Sequence, residues 1–80
     1  MNRFTDGVII VEAVRLFPRR KLPPGVFLIT DFRKEAYQYY LHVPTGLLMV
    51  NEKDFIVFPP EGDPYVMIPK DFRRKFKRID

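Results

Sequence analysis

The stretch YQYYLHVPTGLLMV, residues 37–50, decides the fold that the sequence predicts. Its first half alternates, so that every second side chain lies on one face of an extended strand. One face carries Tyr37, Tyr39, Leu41 and Val43, and the other carries Gln38, Tyr40 and His42. The turn-forming triplet Pro44-Thr45-Gly46 then leads into the apolar residues 47–50. This pattern predicts a β-hairpin with one apolar face.

The first half of this stretch also fits a helix. Side chains spaced as on one helix face run from residue 32 to residue 43, with Asp31 as a possible N-cap and Pro44 beyond the end. They are Phe32, Ala36, Tyr39, Tyr40 and Val43. A strand is favoured because Tyr and Val prefer strands and because the turn needs a partner strand before it. The sequence leaves both structures open for residues 32–43.

Short apolar segments elsewhere predict further strands. They are residues 8–17, 26–32, 55–58 and 65–68, and the first is long enough to be bent or bulged. Proline-rich connections separate them, PRRKLPPG after the first and PPEGDP before the last, and proline donates no ladder hydrogen bond. Strands at this spacing predict a mainly β protein with a small barrel of about five or six short strands.

The 80 residues are predicted to form a single domain, since 46% hydrophobic content supports one core and the length is too short for two. Residues 8–58 supply the barrel core. Residues 59–69 form a loop and a short strand, and residues 70–80 form a basic C-terminal helix.

The tail KDFRRKFKRID, residues 70–80, carries the whole net charge of +4, because the preceding residues hold eight charges of each sign. Pro69 suits the first helical turn, and the spacing predicts a helix over residues 70–79. Phe72, Phe76 and Ile79 fall on one side, which we expect to pack on the barrel. The opposite side presents Lys70, Arg73, Arg74, Lys77 and Arg78.

Three segments, PPGVFLIT, YQYYLHVPTGLLMV and NEKDFIVF, follow one another in an order that resembles SH3-like small barrels of the Tudor and KOW-type group. A long irregular loop, a strand opened by glycine, a tyrosine-rich hairpin and a short turn before the last strand recur there. The resemblance covers residues 8–58. It implies a domain that binds nucleic acid, peptides or modified side chains.

The basic residues predict binding to an anionic partner. Guanidinium and ammonium groups on one helix face replace the counterions of a DNA or RNA backbone, which assigns phosphate contacts to the five tail residues named above. A second basic cluster, Arg19, Arg20 and Lys21, lies in the proline-rich loop, and Tyr40 offers an aromatic ring for base stacking. The competing interpretations of the charges are a solvated helix face and a solvated loop tip. The competing interpretation of the tyrosines is the core, with Tyr37 and Tyr39 facing inward beside Leu41 and Val43 and Tyr40 left as the exposed ring.

A second class of function stays open. The rest of the chain is electrically neutral, which suits a protein-interaction module such as an adaptor, an inhibitor or a small subunit of a larger complex. A steep dependence of affinity on salt distinguishes phosphate binding from an apolar protein interface.

The side-chain inventory excludes several functions. The chain has no Ser and no Cys, and His42 is its one histidine, so Ser or Cys triads and zinc sites of the usual kinds cannot be assembled. We therefore expect a protein that is not an enzyme and has no metal or cofactor. The longest aliphatic run, residues 8–11, is too short for a membrane span or a signal peptide, which predicts a cytoplasmic protein with no integral membrane association.

Overall fold

A computed structural model describes residues 1–31 and 33–80. This part of the chain is mainly β, as predicted, with eight strands and one helix. The elements are β1 (Asn2–Thr5), β2 (Ile10–Arg15), β3 (Val26–Asp31), β4 (Ala36–Val43), β5 (Gly46–Val50), β6 (Phe55–Phe58), β7 (Tyr65–Met67), α1 (Pro69–Lys75) and β8 (Lys77–Arg78).

The strands form two separate antiparallel sheets. Sheet 1 has the order β7-β6-β2-β1-β8, and sheet 2 has the order β3-β4-β5. The described residues therefore form no closed barrel, because β3 and β5 end sheet 2 without a ladder to sheet 1. The strand number also exceeds the predicted five or six, since β1 and β8 were not predicted.

Sheet 2 contains the predicted hairpin. β4 and β5 pair from Tyr39 with Val50 to Val43 with Gly46, so residues 37–43 form a strand and the helix alternative is wrong there. Phe32, where that alternative and the predicted second strand also extended, lies outside the described residues. Tyr37 was predicted to face inward but is 57% exposed, because β5 ends opposite Tyr39 and covers nothing beyond it.

Sheet 1 lies between sheet 2 and the helix. One face of sheet 1 packs on sheet 2 through a core that centres on Leu16, Leu41 and Ile56, all fully buried. The opposite face packs on α1 through Val11, Ala13 and Val57. This arrangement follows from strand alternation, since neighbouring residues such as Ile56 and Val57 point to opposite faces and enter different cores.

The C-terminal helix is shorter than predicted and ends at Lys75. The Phe76 N–H still donates to the Phe72 carbonyl, but Phe76 itself has an extended backbone, with φ −118° and ψ 145°. The next two residues, Lys77 and Arg78, form β8 on the free edge of β1. Ladder bonds to β1 replace a last helical turn that is marginal in so short a helix. Lys77 and Arg78 thus lie on a strand and not on a helix face.

Aromatic rings hold α1 on sheet 1. The Phe72 ring stacks on Phe55 with the ring centroids 3.9 Å apart, and meets Phe4 edge-on at 4.9 Å. Phe76 lies 5.2 Å from Phe72, and both rings are buried, as predicted. Ile79, predicted to share this face, is 43% exposed, because β8 carries it beyond the end of the helix.

Candidate functional site

The five basic residues of the tail occupy two different elements. Lys70, Arg73 and Arg74 are exposed on α1, whereas Lys77 and Arg78 are exposed on β8. All five are accessible to a partner. They do not form the single helical stripe that their spacing predicted, since the helix ends before Lys77.

Arg74 and Lys77 meet at a cleft of about 320 Å³ that Lys75 also lines. The opposite wall is the β1–β2 turn, in which the Asp6 carboxylate accepts hydrogen bonds from the N–H groups of Val8 and Ile9. These backbone donors, with a smaller contribution from Lys75, lower the pKa of Asp6 below its usual value. The cleft is therefore cationic with one ionised carboxylate inside it, which weakens it as an anion site.

Arg78 is partly neutralised by Asp80. Its Nε donates to the Asp80 carbonyl at 2.7 Å, and the Asp80 carboxylate lies 3.8 Å from Arg78 Nε and 3.5 Å from Arg3 Nε. A hydrogen bond from the Arg3 backbone N–H, followed by the charges of Arg3 and Arg78, lowers the pKa of Asp80. Of the predicted tail contacts, Arg78 is therefore the least available to a phosphate.

Two residues of the second predicted cluster line a groove that, unlike the cleft at Arg74, has no acidic residue in its walls. Arg20 and Lys21 line a groove of about 280 Å³ together with Arg15 at the end of β2. The remaining walls are Met1, Asn2, Phe4, Ala13, Val14, Phe17 and Phe55. None of these lining residues is acidic, so the groove, here called the basic groove, combines three cations with apolar and aromatic surface.

Aromatic rings fix the arginines of the basic groove. The guanidinium carbon of Arg20 lies 4.8 Å from the centre of the Phe17 ring, and that of Arg15 lies 5.6 Å from Phe17 and 5.2 Å from Phe55. Arg15 Nε also donates to the Lys53 carbonyl at 2.8 Å. Cation–π contacts and this hydrogen bond hold Arg15 in place and leave its terminal nitrogens as donors for another ligand.

The basic groove lies beside α1. Phe4 and Phe55 line the groove, and the same two rings pack against Phe72 of the helix. The groove that Arg20 and Lys21 line therefore borders the aromatic cluster on which α1 packs. The sequence alone did not show where the loop cluster lies relative to the C-terminal helix.

Arg19, the first residue of the predicted loop cluster, lines a different cleft. This cleft, of about 520 Å³, also contains Arg20, Tyr37 and Glu52. The Tyr37 hydroxyl donates to a Glu52 carboxylate oxygen at 2.9 Å, and this carboxylate raises the pKa of Tyr37. A carboxylate beside Arg19 makes this cleft a poorer phosphate site than the basic groove.

Tyr40 is not brought together with the basic residues. It is half-buried on the outer face of sheet 2, where its ring centroid lies 6.2 Å from that of Phe27 on the neighbouring strand. The cleft beside Tyr40 is lined by residues of sheet 2 and the β3–β4 turn, and it shares none of them with the basic groove. The structure therefore does not support one ligand that stacks a base on Tyr40 and places a phosphate in the basic groove.

Comparisons with known proteins give no indication of function, so a proposal must be based on the geometry of the sites. No protein family, no curated protein and no solved structure matches the chain. The resemblance to SH3-like barrels stays a prediction.

Membrane-spanning helices and groups of metal ligands are both absent from the residues that the structure describes. Residues 1–31 and 33–80 contain no helix that has both the length and the apolar character needed to cross a membrane. Within the same ranges, no three His, Asp or Glu side chains are grouped as metal ligands.

The sequence did not predict three of the residues that line these sites, namely Arg15, Phe17 and Lys75. Arg15 follows Val11 and Ala13 at strand spacing, which assigns it to the face that packs on α1, but no pattern shows that this face is open at its end. Lys75 lies next to Phe76, and its Nζ is 5.4 Å from the Phe76 ring centre. A basic residue near aromatic positions is the signal common to both cations.

Proposed function

We propose that this chain is a small non-enzymatic protein that binds the phosphate backbone of DNA or RNA on the side of sheet 1 that carries α1. The observation that carries the proposal is the basic groove, where Arg15, Arg20 and Lys21 converge and no carboxylate lines the walls. The proposed surface also includes the exposed cations Lys70, Arg73 and Arg74 of α1, a helix that carries one exposed carboxylate, Asp71.

Charge and local environment both favour a phosphate in the groove. The apolar walls formed by Phe4 and Phe55 lower the local dielectric, so a cation there attracts an anion more strongly than it does in open water. Arginine also presents paired donors that match the oxygens of a phosphate. A polyanion that runs from the groove along α1 releases counterions at each contact.

The helix contributes as a surface and not as an inserted recognition element. α1 has seven residues, and its buried Phe72 holds one side against sheet 1. Its exposed cations can reach phosphates, but so short a docked helix cannot lie in a DNA major groove as longer recognition helices do. We therefore expect binding without strong base-sequence preference.

Chemical-shift mapping tests the proposal directly. Titrating the labelled chain with a short single-stranded and a short double-stranded oligonucleotide should shift the backbone amide signals of residues 15–17, 19–21 and 70–78. The amides of sheet 2 serve as the internal control and should stay in place. Shifts confined to sheet 2, or none at low ionic strength, would overturn the proposal.

A protein-interaction module remains the second candidate because sheet 2 exposes apolar side chains. Leu28, Ile29, Leu47 and Met49 are all exposed. The three strands of this sheet, of six, eight and five residues, carry one charged side chain, Asp31. Depletion of charge together with exposed aliphatic and aromatic residues is typical of protein interfaces.

A further inference from the structure

The free edge of sheet 2 has the features of a strand-pairing site. β3 pairs with β4 on one side, and in the part of the chain that the structure describes it has no neighbour on the other. Charged residues, especially Lys, and Pro usually protect an edge strand from pairing. The six residues of β3, VFLITD, contain no Lys, Arg or Pro, and their one charged side chain is Asp31 at the end of the strand.

The hydrogen-bonding groups on this edge can be assigned from the ladder. His42 N–H donates to the Gly25 carbonyl, so Gly25 points its polar groups toward β4, and residues 27, 29 and 31 do the same by alternation. Val26, Leu28 and Thr30 point theirs outward. The Val26 N–H donates to the Pro23 carbonyl, which leaves the N–H groups of Leu28 and Thr30 directed away from the sheet.

Exposed apolar side chains lie on both faces of the same edge. Leu28 is 43% exposed on the face that turns toward sheet 1, and Ile29 is 46% exposed on the outer face. A partner stacked on the outer face would cover Ile29 alone. An added strand covers both, because its own side chains alternate between the two faces.

We propose that β3 pairs with β3 of a second copy of this chain in an antiparallel, two-fold dimer centred on Ile29. This inference deepens the second candidate function and does not depend on phosphate binding by sheet 1. In this register, Leu28 of each copy lies opposite Thr30 of the other, so the outward N–H groups of Leu28 and Thr30 meet the Thr30 and Leu28 carbonyls of the partner. The result is one continuous six-stranded sheet.

The edge of β3 is complementary to itself, so a second copy fits it without opposing like charges. The chain carries a net charge of +4, yet the basic residues described above lie on sheet 1, on α1 or in loops, and β3 presents none to its partner. Two copies therefore meet through edge strands that each carry one charged side chain, Asp31. In the two-fold register the two Ile29 side chains face each other and Asp31 lies opposite Phe27 of the other copy, so no like charges are paired.

Sedimentation and light scattering over a range of protein concentrations test the dimer. The unmodified chain should reach twice the mass of one chain and should keep it at high salt, because the contact is apolar and hydrogen-bonded. Ile29→Lys places two like charges directly opposite each other at the two-fold axis. It should raise the dimer Kd by roughly a hundredfold or more while the circular dichroism spectrum stays unchanged.

Met49→Lys is the matched control. Met49 is 59% exposed on the outer face of the same sheet, but it lies on β5 at the far edge, so its replacement should leave the dimer intact. A monomer at every concentration would overturn the proposal, and then an extended peptide of another protein becomes the better occupant for the edge. Loss of the dimer in Met49→Lys but not in Ile29→Lys would show face-to-face stacking and would also overturn it.

Discussion

Replacing Phe72 by alanine should destabilise the chain by about 3–5 kcal/mol, the cost of removing a fully packed phenylalanine ring. Phe72 is 2% exposed and contacts the rings of Phe4, Phe55 and Phe76. Small domains have only about 5–15 kcal/mol of stability, so this is a large fraction of the total. The melting temperature should fall by more than about 10 °C, since each kcal/mol shifts it by about 4–8 °C in a domain of this size.

Phe27→Ala is the control for this substitution. It removes the same ring, but from a half-buried position on the outer face of sheet 2. The transfer and cavity terms are smaller where water already reaches the site, so the free energy of unfolding should change much less than for Phe72→Ala. Equal effects would show that α1 is not anchored on sheet 1 through Phe72.

The double variant Arg20→Gln with Lys21→Gln should weaken nucleic acid binding by roughly a hundredfold at low salt. A hydrogen bond to a charged group contributes about 1.5–3 kcal/mol, and each 1.4 kcal/mol is tenfold in affinity. Both side chains are exposed, so the fold should be unaffected. The slope of log affinity against log salt should flatten by roughly 1.4–1.8 units for the two lost contacts.

Arg33→Gln with Lys34→Gln provides a matched control, because it removes the same two charges from the exposed β3–β4 turn of sheet 2. The total charge changes equally, but the basic groove stays intact. A similar loss of affinity in both double variants would show that net charge and not the groove determines binding. Fluorescence anisotropy with one labelled oligonucleotide measures all three proteins under the same conditions.

The sequence predicted those strands best whose signal lies in neighbouring residues. Alternation in residues 37–43 and the turn at Pro44 determined the β4–β5 hairpin, and apolar runs located β2, β3, β6 and β7. β1 was missed because its residues NRFT have little apolar character. The Asp6-Gly7 pair that follows is a common hairpin turn and is the signal that indicates β1.

The tail shows why the site was only partly predictable. The spacing of Phe72 and Phe76 correctly predicted two buried rings, yet Phe76 reaches the core from an extended residue. The helix stops because β1 offers an edge to Lys77 and Arg78, and this depends on an element far away in the sequence. Arg15 and Arg20 are close in the sequence and pack on the same Phe17 ring, but Phe4 and Phe55, which complete the basic groove, come from strands that no local pattern of charges places there.

The central claim, that the basic side of sheet 1 binds nucleic acid phosphates, is tested most directly by the salt dependence of oligonucleotide binding by the unmodified chain. Affinity is measured by anisotropy at several concentrations of monovalent salt. Log affinity should fall linearly with log salt, with a slope of roughly −2 or steeper, since each phosphate contact contributes about 0.7–0.9 unit. An affinity that does not change with salt, or no binding at low ionic strength, would contradict the account.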